Sequence, residues 1–470
     1  MKVFNLLIRD IRFWIILFFI IRLWGITNAP LEVAHNWRQT TVTMVARNFL
    51  EIDNNIFFPR IDIAGNKTGI TGMEFPILNY LIYLLSEIFG YQHWYGRLIN
   101  LVFSSIGLFY FFKLIKKYFT QSIAFNSTYI LLFSLWFAYS RKIMPDTFSV
   151  SFIIISLYYG SNYLFSKTKF NSAKNLLIYG LFASLGMLSK LPSGYLLILF
   201  LIPFANRAIT LKKKLLFSLV STIVLLPVSI WYFYWVPHLV EQYGFWHFFM
   251  GKSFTEGFVD ILNNFPLTLK RFYDTALKYV GFTMFIVGLI IAIIKKEKLV
   301  LTILTLSFGA FLLIIFRAGF TFSHHSYYII PFVPVMALIA GFGLDQINKT
   351  KFSFIIFLLI ALEGILNQQH DFRIKDNALP ILKLEQTLDS FSKPNDLILI
   401  NSGEFPTPMY FAHRKGWVAY NKDIQNKIFL VQMKKEGCKY IVILKQVFGE
   451  AIKLDLELKF NNDSYAIYKL

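Results

Sequence analysis

The stretch PILNYLIYLLSEIFGY, Pro76 to Tyr91, decides how the chain is read. It is apolar enough to enter a bilayer, but a membrane-spanning helix needs roughly 17 to 25 residues. This one has 16 and carries Asn79 and Glu87. Whether it crosses sets the side of every loop that follows.

Composition fixes the solvent around it. Of 470 residues, 56% are hydrophobic, 18% aromatic and only 16% charged, and the mean hydropathy is +0.53. A soluble domain carries about 25% charged residues, so this is an integral membrane protein. A net charge of +20 and a pI near 9.6 raise nucleic acid as a partner. The Lys and Arg residues instead sit in short clusters between apolar runs, which is the pattern of cytoplasmic loops, and no nucleic-acid partner is expected. The single cysteine, Cys438, excludes an internal disulfide framework and a Cys-based metal site. The start, MKVFNLLIRDIRFWIILFFIIRLWGI, has no small-residue cleavage site after its apolar stretch and reads as a retained first helix.

Apolar runs of spanning length lie near 11–27, 98–115, 122–140, 147–165, 174–189, 191–206, 214–235, 276–294, 299–316, 326–345 and 352–368. If 76–91 does not span, the basic clusters all fall on one side. They are Lys2, Arg9 and Arg12; Lys113, Lys116 and Lys117; Lys167, Lys169 and Lys174; Arg207 with Lys212 to Lys214; Lys295, Lys296 and Lys298; and Lys349 with Lys351. That side is cytoplasmic by the positive-inside rule. The segment 76–91 is therefore an interfacial or re-entrant helix, and the chain is an α-helical polytopic membrane protein of about eleven spans, N-terminus in and C-terminus out.

The organisation expected is a membrane domain over 1–370, with a first external loop at 28–97 carrying amphipathic helices, and a tail over 371–470. The tail's runs DLILINSG, KYIVIL and SYAIYKL alternate with the helix-like IQNKIFLVQMKKEG and suggest a small extracytoplasmic α/β domain. No internal repeat is evident, which argues against an inverted-repeat transporter.

The unusual residues collect outside. In the first loop, apolar Val42, Val45, Ala46, Phe49 and Leu50 recur at helical spacing, as in a helix lying on the membrane surface. Just before it stand Glu32, His35, Trp37, Arg38 and Gln39, a group able to hold an anion or act as a base, or simply to anchor the interface. Glu74 in MEFP and Asp146 in MPDTF are acids at the external ends of apolar segments, either functional or helix caps. Lys190 in LSKLPSG is a candidate phosphate partner or a snorkelling lysine. In FTFSHHSYYIIP, His324 and His325 cannot both face one point of an extended backbone, so a His–His metal site is disfavoured. One histidine with Arg317 and Tyr328 makes an anion clamp.

In this order the motifs VARN (45–48), MEFP (73–76), GRLIN (96–100), MPD (144–146), SKLP (189–192) and HSYYIIP (325–331) resemble those of the GT-C superfamily of polyprenyl-phosphate-dependent glycosyltransferases. The likeness is to bacterial relatives of protein O-mannosyltransferases and of the lipid A aminoarabinose transferase, and it covers about residues 10–345. It implies a GT-C fold and transfer of a sugar from a polyprenyl-phosphate donor to a glycan, lipid or protein acceptor. It also implies a bacterial inner membrane, with the active site facing the periplasm. Two departures matter: the family's acidic pair falls at Arg38 and Gln39, and the lysine after the motif glutamate is Phe75. The catalytic candidates are therefore Glu74, Asp146, Glu32 and His35. The substrate-binding candidates are Lys190, Arg317, His324, His325, Tyr328, Arg38 and, from GRLIN, Arg97. A divalent cation is neither required nor excluded by these acids. The rival reading is a transporter or flippase of lipid-linked sugars, since intramembrane charges also mark transport paths.

Overall fold

The computed structural model describes residues 9–166, 168–245, 251–347 and 352–470. Lys2, Lys167, Lys349 and Lys351, four of the lysines behind the topology, lie outside the described residues. The chain divides into two compact units, the first comprising Met1–Ile26, Arg97–Tyr232 and Phe249–Gln369, the second Thr27–Gly96, Phe233–Phe248 and His370–Leu470.

Every one of the eleven expected spans carries a helix. Five are long and apolar enough to cross a bilayer alone: Tyr95–Tyr118, Pro145–Phe165, Leu211–Tyr243, Lys298–Ala318 and Ser326–Ile347. A sixth arises if Phe265–Ala276 and Lys278–Ile294, which meet at 97°, form one broken span. The remaining expected segments fold as shorter or more polar helices, among them Ile11–Arg22, Gln121–Phe133 and Lys169–Ser189.

Burial orders the first unit. The span Ser326–Ile347 is almost wholly buried, whereas Leu211–Tyr243 and Lys298–Ala318 are mostly exposed and turn leucine, isoleucine and phenylalanine outward. Lipid gives helices no hydrophobic reason to associate, so close packing rests on small residues. A Cβ on Gly341 would stand 2.2 Å from the Ser127 hydroxyl, and one on Gly288 2.1 Å from the Ile339 carbonyl oxygen. These contacts bring Val333–Ile347 against both Gln121–Phe133 and Lys278–Ile294.

The same unit interrupts its helices at the residues that carry charge. Pro145 opens Pro145–Phe165 at a position where its missing N–H costs nothing. Lys190 is extended (φ −163°) between Lys169–Ser189 and the 3₁₀ helix Leu191–Phe200. His325 is extended between Phe320–His324 and the 3₁₀ turn Ser326–Phe332. Arg271 opens a π-helical turn just before the 97° bend.

The second unit is built on a five-stranded sheet: β1 (Leu397–Ile400), β2 (Gly416–Val418), β3 (Cys438–Leu444), β4 (Glu457–Asn461) and β5 (Tyr465–Lys469), in the order β2-β1-β3-β5-β4. β1 lies parallel to β2 and β3, while β5 runs antiparallel to β3 and β4. Strand alternation sorts the side chains. Leu399, Ile441 and Ile443 pack toward the helix Lys427–Lys435 through Met433. Ile398, Ile400 and Val442 join Met44, Val45, Phe49, Met73 and Tyr83 in a common core on the other face.

Residues 27–96 therefore share a core with the tail. The expected surface helix is Asn36–Glu51, and it is buried continuously from Gln39 to Phe49. Its polar side chains are satisfied from within. Thr40, Thr41 and Thr43 bond back to carbonyls one turn earlier. Arg47 donates to Asp62 and to the Tyr410 carbonyl, at 2.9 and 3.0 Å, and Asn48 donates to Asp62 at 2.8 Å. The Arg47 guanidinium also lies 4.7 Å from the Tyr410 ring centroid. The VARN motif is thus a buried strut. Pro76–Tyr91 forms Ile77–Phe89, 13 residues and below the length of a span.

Candidate active site

In the first unit the site begins at Asn100. Its amide donates to the carbonyls of Tyr139, Lys142 and Met144 at 2.8, 2.8 and 3.2 Å, and Thr147 donates back to its Oδ1 at 3.0 Å. One buried side chain thereby fixes the turn that delivers Asp146. Asp146 lies in the first turn of Pro145–Phe165, where the helix dipole favours a carboxylate. It makes no cap bond; instead its Oδ1 receives the Lys190 ammonium. Its Oδ2 is buried and accepts no hydrogen bond.

Lys190 is held on three sides. Beyond Asp146, its ammonium stands 4.6 Å from the Tyr327 ring centroid and 5.6 Å from that of Tyr328. A desolvated ammonium over aromatic faces gains roughly 2 kcal/mol from the ring quadrupoles. Its place is therefore fixed by packing, and the snorkelling alternative gives way to an ion pair. His325 stacks on Tyr327 at 5.4 Å, and the Tyr139 hydroxyl bonds Ser326 at 2.6 Å, holding the extended linker. Arg271 donates to the Ser323 carbonyl at 3.0 Å. Burial, then the charges of His324, Arg271 and Lys190, hold the His325 pKa below the usual imidazole value. The ring is thus kept neutral beside cations that an anion would neutralise.

The structure brings Asp146, Lys190, His325 and Tyr328 together and adds Arg271 and Tyr327, which sequence reasoning passed over. Arg271 had no signal beyond being an arginine just before a span. The others expected here stand elsewhere. His324 turns away, stacked on Phe320 at 3.7 Å with its Nδ1 2.9 Å from the Phe320 carbonyl. Arg317 faces the Phe254 ring at 5.9 Å. Arg97 is fully buried and donates to the Ile26 carbonyl at 3.0 Å.

The second unit holds the remaining candidates. Glu74, nearly buried, receives the Arg38 guanidinium on Oε1. Glu32, wholly buried, accepts from Gln39 Nε2 at 3.2 Å. His35 is the left-handed residue (φ 64°) that opens Asn36–Glu51, and its side chain makes no cap bond. The two residues that replace the expected acidic pair thus each clasp one of the surviving acids. Among the described residues no three of His, Cys, Asp and Glu converge as metal ligands.

The model of the dolichyl-phosphate-mannose-protein mannosyltransferase family matches residues 74–234. No curated protein matches the chain in sequence. Among solved structures, the chain is similar to ArnT from Cupriavidus metallidurans in the apo state, with a TM-score of 0.59, 11% identity and 97% of each chain covered. It is similar to the same protein bound to undecaprenyl phosphate (0.57, 10%, 97% of this chain and 98% of that one). It also resembles the oligosaccharyltransferase AglB from Archaeoglobus fulgidus in complex with an inhibitory peptide and a dolichol-phosphate (0.55, 13%, 92% and 69%). At these identities the likeness is one of fold, and it is the fold that the motif order implies.

Proposed function

We propose that this chain, a multi-pass membrane protein with the GT-C fold, moves a sugar from a polyprenyl-phosphate donor to a glycolipid, glycan or protein acceptor on the periplasmic face of a bacterial inner membrane. The observation that carries the reading is the Lys190 cluster: a lysine fixed by Asp146 and two tyrosine rings at a helix break, with Arg271 and His325 beside it. That arrangement suits an anion at the end of a lipid. The ligands of the similar proteins agree, since ArnT binds undecaprenyl phosphate and AglB a dolichol-phosphate.

The chemistry is a single displacement. The acceptor oxygen bonds to the anomeric carbon while that carbon's bond to the phosphate oxygen breaks, inverting the centre. The hydroxyl proton passes to a base, and the electron pair leaves on a phosphate that gains one negative charge. Cations that strengthen their hold as this charge grows lower the barrier. Lys190, Arg271 and a protonating His325 suit that role, with Asp146 positioning Lys190. Glu74, whose Oε1 receives the Arg38 guanidinium, is the base in this reading.

A carrier of lipid-linked sugars would need polar groups along a central helix. The innermost span is apolar from Ile329 to Leu344. Incubating the purified protein with a polyprenyl-phosphate sugar and an acceptor mixture separates the two. Transfer releases free polyprenyl phosphate and a glycosylated product visible by mass spectrometry, while a carrier leaves the donor intact.

A further inference from the structure

The first unit contains a cavity of about 230 Å³ at the opposite end of its helices from Lys190 and His325. Its wall is drawn from five helical segments and is apolar, with Leu157, Phe200, Ile303 and Leu338 among the lining residues. Polar groups come only from its rim, at Tyr118, Ser161 and Asn206, and the first two bond each other. An apolar cavity of about 150 Å³ stays dry and takes up a hydrophobic guest, so a larger one opening between helices in a bilayer is filled by hydrocarbon.

The rim names the hydrocarbon's owner. Leu114 and Ile115 of the wall run directly into Lys116 and Lys117, Asn206 into Arg207, and Leu299 is preceded by Lys298. All four cations are exposed, with Glu297 as the adjacent acid. Lys117 Nζ is bonded to Asn162 Oδ1 at 2.8 Å and stands 5.1 Å from the ring of Phe165, itself part of the wall. Lys214 is bonded to the Phe204 carbonyl at 2.6 Å, while Lys116, Lys117, Arg207 and Lys298 lie exposed where the wall helices meet the head-group layer. The positive-inside pattern makes this the cytoplasmic leaflet. An acyl-sized apolar slot whose wall helices end in exposed cations complements one kind of molecule.

We propose that the cavity holds an acyl chain of an anionic phospholipid of the inner leaflet, its phosphate lying among Lys116, Lys117, Arg207 and Lys298. This site is separate from the donor-phosphate cluster, and its test reads lipid binding without transfer, so it stands or falls apart from the transferase reading.

Native mass spectrometry of the purified full chain, titrated with phosphatidylglycerol, phosphatidylcholine of the same chains, or undecaprenyl phosphate, tests it. Phosphatidylglycerol should saturate one site ahead of phosphatidylcholine. Each cation removed should weaken it about fivefold, so Lys117→Ala with Lys298→Ala costs roughly twenty-five-fold and leaves phosphatidylcholine unchanged. Leu157→Trp, which fills the slot, should abolish the adduct. If that variant does not elute as a folded species, the exposed double variant carries the test alone. Equal retention of the two phospholipids, no effect of the double variant, or competition by undecaprenyl phosphate for the same site would each overturn the assignment, the last by making the occupant an isoprenoid tail.

Discussion

Arg38 and Gln39 stand where the family that the chain resembles carries an acidic pair, and each binds an acid that remains, Glu74 and Glu32. The neighbourhood keeps its carboxylates but changes who holds them, which is why sequence alone left four candidates for the base. The roles proposed for them are testable. Glu74→Gln should lower transfer about 10²- to 10⁴-fold at saturating donor, the usual range for a general base. Asp146→Asn should act on KM for the donor more than on kcat, because it frees Lys190 without touching the acceptor; an equal loss in kcat would make Asp146 the base. His325 gives a pH signature. Its pKa is depressed in the free protein, and a bound phosphate raises it, so donor binding takes up a proton. The donor KM should fall as pH drops from the raised bound value to the depressed free value, then level off. His325→Ala should abolish that slope, and a slope that persists assigns it to another group.

At the scale of elements, the chain stops its helices where it needs charge, and these stops were partly legible. Pro145, the SKLP turn and the HSYYIIP break announce themselves by proline and by polar residues against apolar runs. The Asp146–Lys190 pairing is 44 residues long in sequence and leaves no local trace, and neither does Arg271. In the sheet, β1, β3 and β5 were visible as β-branched and aromatic runs. β2 and β4 were not, because GWV is three residues long and ELKFN is mostly exposed; both are edge strands and bury too little to show a pattern. The burial of the helix Asn36–Glu51 was hidden for a related reason. Its threonines and Arg47 look solvent-facing by type but are bonded internally, and periodicity cannot see a partner contributed by Asp62 or Tyr410. Arg47→Met should destabilise the protein by about 3 to 5 kcal/mol, the cost of stranding a buried carboxylate, read as a lower melting temperature. His413 sits between Glu51 and Glu385, at 2.9 and 2.5 Å, and the Glu51 carboxylate holds its pKa above the usual value. A raised folded pKa contributes stability that is full below about pH 6.5 and lost as pH rises through the raised value. Wild type minus His413→Ala in melting temperature should shrink over that interval, and a difference independent of pH would show that the imidazole charge is not involved.

For the whole molecule, the segment 76–91 and the basic clusters assign the ends of the helices to opposite faces. Cysteines introduced at Lys116, Lys213 and Lys296 should resist a membrane-impermeant reagent in intact cells, while those at Lys190, His325 and beyond residue 370 react, Cys438 being buried; the reverse pattern would put the phosphate cluster in the cytoplasm. The composition made the membrane class and the helical fold legible, since nothing else carries 56% hydrophobic residues with charge confined to loops. It could not show that residues 27–96 share a core with the tail, because those contacts join positions more than three hundred residues apart. In the proposed site Lys190 and His325 hold one phosphate of a lipid donor. Its most direct measurement is the rate of free polyprenyl phosphate release against donor concentration for wild type, Lys190→Ala, His325→Ala and the double variant. Each single change should raise the donor KM roughly ten- to a hundred-fold, the worth of a charged contact to a partly buried anion, and the double should cost less than the product of the two. Effects that multiply independently, or a KM that does not move, would contradict the account.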